Sequence, residues 1–245
     1  MQNQRDQNVK CRINKYLSMS GICSRRDADK LIEQGLVTIN GRRAEPGDRV
    51  GEGDAVLVGK RKACAEQKKV VLAFYKPVGI VCTERDRHAE KKIMDMIHYP
   101  IRVTYAGRLD KDSEGLILLS NDGELIQRMM RAAEKHEKEY IVKTDKEITD
   151  DFIQKMSGGI YLRELDVTTR PCKVLREGKY TFRIILTQGV NRQIRRMCGE
   201  LGFRVTALKR VRVMSVGLSG LQPGKYRELT DTELALLYEE CGLER

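Results

Sequence analysis

The sequence predicts an α+β chain in two unequal parts, a small basic unit over residues 1–69 and a larger unit over residues 70–245. Three observations predict it. Helix-spaced apolar residues and short strand-like runs occur in both parts, bounded by turn signals. A polar, charge-rich stretch at residues 59–69, GKRKACAEQKK, reads as a linker between them. Hydrophobic residues make up 40% of the chain, enough for a real core at this length, which excludes a wholly disordered protein.

In the first unit Ile13, Tyr16 and Leu17 recur at helical spacing, and Gly21 can close that helix in a left-handed conformation. Ser24 follows as an N-cap, with Asp27 in the first turn and Ala28, Leu31 and Ile32 on one face; Gly35 ends the helix. Val37–Ile39 alternates like a strand into Asn40-Gly41, a strong hairpin signal. Gly47-Asp48 and Gly53-Asp54 punctuate further short strands, ending at residues 55–58. In the second unit residues 70–75 form a buried-strand candidate that meets a turn at Lys76-Pro77-Val78-Gly79. Residues 116–119 form a second, followed by a turn at Asn121-Asp122-Gly123. Residues 140–142, Thr181–Leu186 and residues 211–216 read as strands. Ile194, Met197 and Leu201 mark one apolar helix face, and Thr230 with Glu233 forms a capping box opening a last helix through Leu234 and Leu237.

Charge narrows the function. The formal net charge is +11, which suits a polyanionic partner, because cations that neutralise phosphates release condensed counterions. Residues 1–69 carry 15 Lys and Arg against 9 Asp and Glu, so the smaller unit holds more than half of the excess and reads as a nucleic-acid grip rather than a spacer. The seven cysteines (Cys11, Cys23, Cys64, Cys82, Cys172, Cys198, Cys241) form no C-x-x-C pair, and His88, His98 and His136 are far apart, so neither a zinc site nor a disulfide framework is expected. No cofactor motif is present. The longest apolar run is too short to span a bilayer, and residues 1–8 are polar, so the expectation is a soluble cytoplasmic protein with no membrane partner.

The most informative segment is YAGRLDKDSEGLILLSNDG, residues 105–123. A calcium loop is a weak reading, since Asn121 stands where the bidentate Glu is required. Asp110 and Asp112 have the spacing of a phosphotransferase pair, without the rest of such a site. A plain acidic turn is the bland alternative. A second constellation lies in residues 188–212, where Arg192, Arg195, Arg196, Arg204, Lys209, Arg210 and Arg212 face one acid, Glu200. Arg192, Arg195 and Arg196 are three and four apart, which places them on one helix face opposite Ile194 and Met197. That is either a solvated charged face or a set of partners for a carboxylate.

GRLDKDSEGLILLSNDG closely resembles the catalytic-aspartate motif of pseudouridine synthases, in the branch that modifies ribosomal RNA at single sites. Lys76-Pro77-Val78-Gly79 resembles that family's opening motif, Lys138-Glu139-Tyr140 its K-x-Y motif, and residues 191–197, NRQIRRM, its late basic motif. Residues 9–58 resemble the RNA-binding module named after ribosomal protein S-four. The chain departs from the pattern at Tyr105-Ala106, where the family often has Pro and an aliphatic residue. HEKEYIVKTDKEIT and GVNRQIRRMCGELGF look most similar to the RluF type, which acts in domain V of 23S rRNA.

The resemblance implies an S-four-like domain followed by a catalytic domain with a central mixed, largely antiparallel sheet flanked by helices. It implies Asp110 as catalytic carboxylate, Tyr140 against the target uracil, Arg195 as the partner of Asp110, and Arg108 filling the gap left by the flipped base. Arg192 and Arg196, with Arg12, Lys15, Arg25, Arg26, Arg42 and Arg43 in the small unit, are the expected RNA contacts. The partner is then ribosomal RNA, free or in an assembling large subunit, bound by a monomer; no cofactor or metal is needed to isomerise uridine. Two rivals remain: a non-catalytic rRNA-binding or ribosome-assembly protein of the same fold, and a metal-dependent nuclease or phosphatase using Asp110 and Asp112.

Overall fold

The computed structural model describes residues 10–64, 68–83 and 91–244. His88, the first nine residues and part of the linker therefore lie outside the described residues. The chain divides into two compact units: residues up to Lys69 together with Tyr99–Val103, and Val70–His98 together with Thr104–Arg245.

In the first unit two short helices, Ile13–Met19 and Arg25–Glu33, accompany a four-stranded antiparallel sheet in the order Arg42–Arg43, Val37–Ile39, Val56–Val58, Arg61–Lys62. Ser24 caps the second helix by accepting the Asp27 N–H. Asn40 and Gly41 both have positive φ, 52° and 82°, and join paired residues Ile39 and Arg42 as a two-residue hairpin loop. Ile13, Leu17, Ala28, Ile32, Val37, Ile39 and Val56 close the core between helices and sheet.

The second unit is built on a nine-stranded sheet. Its main path runs Lys173–Gly178, Thr181–Leu186, Lys138–Thr144, Val205–Val213, Glu114–Ser120, Val71–Lys76, Tyr226–Glu228. Every described pairing along that path is antiparallel except Val205–Val213 with Glu114–Ser120. This parallel seam joins two antiparallel halves, and Arg210 lies opposite Gly115 across it. A Cβ on Gly115 would fall 2.2 Å from the Arg210 carbonyl oxygen, and its φ is 116°, so only glycine permits the strands to approach here.

The halves are covered on opposite faces. Val71, Ala73, Tyr75, Leu116 and Leu118 pack with Leu125 and Met129 of helix Gly123–Met129 and with Leu237 and Tyr238 of helix Asp231–Glu240. Val142, Ile184, Leu186 and Leu208 pack with Phe152 and Met156 of helix Asp150–Gly158 and with Ile194, Met197 and Cys198 of helix Gln193–Glu200. Registers run across the sheet as Lys76–Gly115, Gly115–Arg210, Arg210–Tyr140 and Tyr140–Ile184, so these positions share a face with the second cluster.

Several sequence expectations are revised. The strand expected at residues 211–216 runs instead over Val205–Val213, turns at Met214 (φ 53°) and returns as Val216–Gly217. Asp122 is more than a turn residue, since its side chain accepts the Glu124 and Leu125 N–H groups and so starts a helix. Thr149 does the same for Asp150–Gly158 by accepting the Phe152 N–H. Arg192 is not on the helix face: it occupies the N-cap position in the left-handed region, φ 51°, and the helix begins at Gln193. The capping box at Thr230 and Glu233 forms as expected.

Candidate active site

Asp110 sits in the loop between strands Thr104–Ala106 and Glu114–Ser120. Three contacts fix that loop to the shared face. The Gly79 N–H donates to the Lys111 carbonyl at 2.7 Å, joining the Lys76–Gly79 turn to the loop. Lys76, with no exposed surface, donates from Nζ to the carbonyls of Ser113 (2.6 Å) and Pro77 (2.9 Å). Arg210, 3% exposed, donates from Nε to the Leu116 carbonyl (2.7 Å) and from Nη1 to the Arg108 carbonyl (3.5 Å). Burial pushes the Lys76 ammonium below its ordinary range, and the nearby acids Asp110, Asp112 and Glu114 oppose that.

The carboxylate itself is reachable. The Asp110 side chain is 32% exposed, and its ion partner is Arg192, with Nη1 3.6 Å from Oδ2. Arg195 does not pair with Asp110. Its Nη2 donates to the Asp112 carbonyl (2.8 Å) and the Ser113 hydroxyl (3.3 Å), and its Nε lies 3.4 Å from the Asp112 carboxylate. The cause is local backbone. Arg195 stands in the first turn of its helix and reaches Asp112 and Ser113, whereas the left-handed cap turns Arg192 toward both Asp110 and Asp112.

Asp112 is the hub. It accepts two parallel bonds from Arg192, at 3.1 and 3.0 Å, and these, with Arg195 nearby, hold its carboxyl below the usual carboxylate range against the opposing effect of burial. Gln193, buried, accepts the Val190 N–H and so fixes the segment leading into Arg192. Arg196 turns away: it pairs with Glu164 and donates to the Asn191 carbonyl.

Tyr140 is half-buried on Lys138–Thr144 against the second cluster, opposite Arg210. Arg108 is exposed beside Asp110. In the other unit Arg12, Lys15, Arg25, Arg26, Arg42 and Arg43 are all exposed. Arg42 pairs with Asp48 and Arg43 donates to the Glu33 carbonyl. Among the described residues no group of three His, Cys, Asp or Glu is placed to hold a metal ion, and no helix is long and apolar enough to cross a membrane.

Three residues of this site have no assigned role in the sequence reading, Lys76, Lys138 and Arg210, and Asp112 figures there only beside Asp110 as a phosphotransferase or metal pair. Lys76 and Lys138 stand inside motifs without a function of their own. Arg210 has a usable signal, since a charge two residues after Leu208 falls in the apolar phase of its strand.

An aspartate loop is stapled by buried cations to a mixed sheet beside an arginine-rich helix start, and the comparisons place this arrangement in an RNA-modifying class. Residues 70–200 match the family described as RNA pseudouridylate synthase, and residues 11–56 match the S4 domain. The chain is 50% identical over 230 residues to the dual-specificity RNA pseudouridine synthase RluF of Salmonella typhi, covering 93% of this chain and 78% of that one. It is 34% identical over 242 residues to the ribosomal large subunit pseudouridine synthase B of Pseudomonas aeruginosa, covering 95% and 63%. A crystal structure of a pseudouridylate synthase superposes with a TM-score of 0.68 at 28% identity, covering 92% of this chain and 99% of the other. The chain belongs to the RNA pseudouridine synthase family, with an N-terminal S4 domain, and is an enzyme acting on RNA.

Proposed function

We propose that this enzyme isomerises a uridine in domain V of 23S ribosomal RNA, free or in an assembling large subunit, acting as a cytoplasmic monomer with Asp110 as its nucleophile. The observation that carries the reading is the placement of Asp110: partly exposed, paired with Arg192, in a loop tied to the face that bears Tyr140. A carboxylate with one arginine contact and open to ligand can attack, whereas one locked in a bidentate pair, as Asp112 is, cannot without losing that pair. The RluF relatives, similar over most of this chain, support the choice of RNA.

The target base leaves its stack at a cost on the order of a few kcal/mol, offset by pocket contacts and phosphate grip, and exposed Arg108 fills the gap. The bond from ribose carbon 1 to base nitrogen 1 breaks, the base turns, and carbon 1 bonds to base carbon 5. Carbon 5 loses its proton and nitrogen 1 gains one, so no redox partner or group donor enters. Tyr140 lies against the base and assists proton removal at carbon 5. Arg195 acts on Asp110 only through Asp112 and Ser113 and is a positioning residue.

The test is mapping of carbodiimide-modified uridines on ribosomal and transfer RNA from a strain lacking this protein, complemented by wild type or by Asp110→Asn. Loss of one signal in 23S rRNA, restored by wild type alone, is the expected result. Restoration by Asp110→Asn removes the nucleophile assignment, and an unchanged 23S map removes the 23S assignment.

A further inference from the structure

The face that carries Tyr140 also carries two cations, and loop fixation accounts for part of Arg210 but not for Lys138. Lys138 and Tyr140 are two residues apart on one strand, so their side chains emerge on the same side, and Arg210 lies opposite Tyr140 on the next strand. Lys138 is half-buried, Arg210 almost wholly so, and among the described residues neither takes part in an ion pair. The Lys138 ammonium donates to the His136 carbonyl at 3.3 Å, which leaves two of its three protons free. Arg210 spends Nε and Nη1 on two carbonyls, while Nη2 is buried with no acceptor at all. The register sets Arg210 diagonally across from Lys138, and burial first, then Arg210, push the Lys138 ammonium below its ordinary range. Asp110 and Asp112 are engaged by Arg192 and Arg195 instead.

Desolvated like charges beside each other with no acid between them raise the energy of the empty site, and such an arrangement is relieved by an anion. The proposed reaction makes one. If the glycosidic bond breaks first, the base departs with both bonding electrons and carries the charge on its two carbonyl oxygens. If a nucleophile adds to the base ring first, the electron pair of the ring double bond moves onto a carbonyl oxygen. Either way negative charge appears on uracil oxygen and is withdrawn as carbon 5 bonds to ribose carbon 1; the proton then lost from carbon 5 is balanced by the one gained at nitrogen 1.

Resting on the reading of the site as a uridine isomerase, we propose that Lys138 is a further catalytic residue, whose ammonium receives the negative charge developing on the uracil carbonyl oxygens, and that Arg210 beneath it is the positioning residue that keeps this ammonium desolvated and the Asp110 loop in place. A phosphate of the target strand is the rival anion. The two differ in kinetics, because a phosphate is equally charged in the ground state and in the transition state, whereas the base becomes charged only as the reaction proceeds.

The experiment is single-turnover rearrangement by the full-length protein with saturating ribosomal RNA fragments containing either uridine or 5-fluorouridine at the target. The fluorinated base has no proton at carbon 5 to give up, so its rearrangement ends with water added at carbon 6, and the readout common to both is loss of the bond from ribose carbon 1 to base nitrogen 1. Fluorine at carbon 5 stabilises the base anion by itself and so replaces part of what the ammonium supplies. Lys138→Met is expected to slow uridine turnover on the order of a hundredfold with RNA affinity nearly unchanged. Its deficit should shrink to about tenfold or less on the fluorinated RNA, followed as base rearrangement. Lys138→Arg, which keeps the charge, should recover most of the rate; it also guards against loss of fold, as does the unfolding temperature of each variant. Arg210→Lys should show a smaller deficit with the same dependence on fluorine. Equal deficits on both RNAs, or a Lys138→Met rate within about threefold of wild type, overturn the inference. A fall in affinity at unchanged saturated rate overturns it in favour of phosphate. Wild type that isomerises neither RNA overturns the underlying function instead.

Discussion

Two basic regions of this molecule look alike in sequence and do opposite things. Between residues 188 and 212 nearly every cation is already spent inside the protein. Arg192 and Arg195 meet Asp112, Arg196 meets Glu164, Arg204 meets Asp145, Arg212 meets Glu137 and Glu139, Arg210 meets two carbonyls, and Lys209 lies over the Tyr75 ring. In the S4 domain Arg12, Lys15, Arg25 and Arg26 are exposed and, among the described residues, in no ion pair. Charge density along a chain therefore does not say which cations grip phosphate. The paired set is spent on acceptors within the protein, and the unpaired set is the one we propose for the polyanion.

That contrast can be broken at several points. The largest effect belongs to the carboxylate the paired set surrounds: Asp110→Asn should lower single-turnover isomerisation by about 10⁴-fold or more, with RNA affinity within a few-fold. Tritium release from labelled RNA measures the first and filter binding the second, and near-normal release would remove Asp110 from the chemistry. Next is the unpaired set. Replacing Arg12, Lys15, Arg25 and Arg26 together by Gln should flatten the slope of log affinity against log salt by roughly 0.7–0.9 for each phosphate no longer neutralised. Arg196→Gln, taken from the paired set, should leave that slope nearly unchanged, and equal slopes for the two variants would collapse the distinction.

A smaller change is expected at the hub. Asp112→Asn releases Arg192 and Arg195 from their shared acid, and we predict a loss of about tenfold in rate as the loop loses its register, on the order of one charge-assisted bond. Arg195→Lys should resemble Asp112→Asn in rate rather than Asp110→Asn, because Arg195 meets Asp112 and Ser113 and not Asp110. The smallest effect lies at a paired arginine remote from the chemistry. Two bonds from Arg227, chief among the causes, hold the Glu233 carboxyl down to about 2. A depressed carboxyl stabilises the fold above its unfolded value and loses that contribution as pH falls through the folded one. Glu233→Gln should thus cost about 1–2 kcal/mol at neutral pH, after allowance for screening, and flatten the fall in unfolding temperature between roughly pH 4.5 and 2. The same pH profile in mutant and wild type would show that the pair contributes nothing.

Much of the architecture is legible without any coordinates, and the reasons are local. Ser24, Asn40-Gly41 and the Thr230–Glu233 box act within a few residues, so their signals survive in a bare sequence. The aspartate loop is legible by resemblance. What fails is what depends on distant partners. Spacing puts Arg192 on a helix, but the left-handed cap at that residue is fixed by the loop it closes. The sequence misassigns the partner of Arg195 because Asp110 and Asp112 are two residues apart, and only the folded loop shows which one the helix reaches. Arg210 passes for one more surface cation, since its acceptors lie 94 and 102 residues away. The attachment of Tyr99–Val103 to the S4 unit has no sequence signal at all.

The parallel seam opposite Gly115 has a consequence for how activity arises during synthesis. Asp110 and Lys76 emerge early, in the half of the sheet that can form its own antiparallel pairs, while Tyr140, Lys138 and the arginines belong to the other half. The strand Val205–Val213 has to enter between the two halves late, and it brings Arg210 to the loop that was made about a hundred residues before. Until it does, the Asp110 loop lacks its tie to Arg210, and the face that bears Tyr140 lacks its neighbouring strand. Completion of the site therefore waits on the strand that joins the two halves, although the carboxylate itself lies about a hundred residues earlier in the chain.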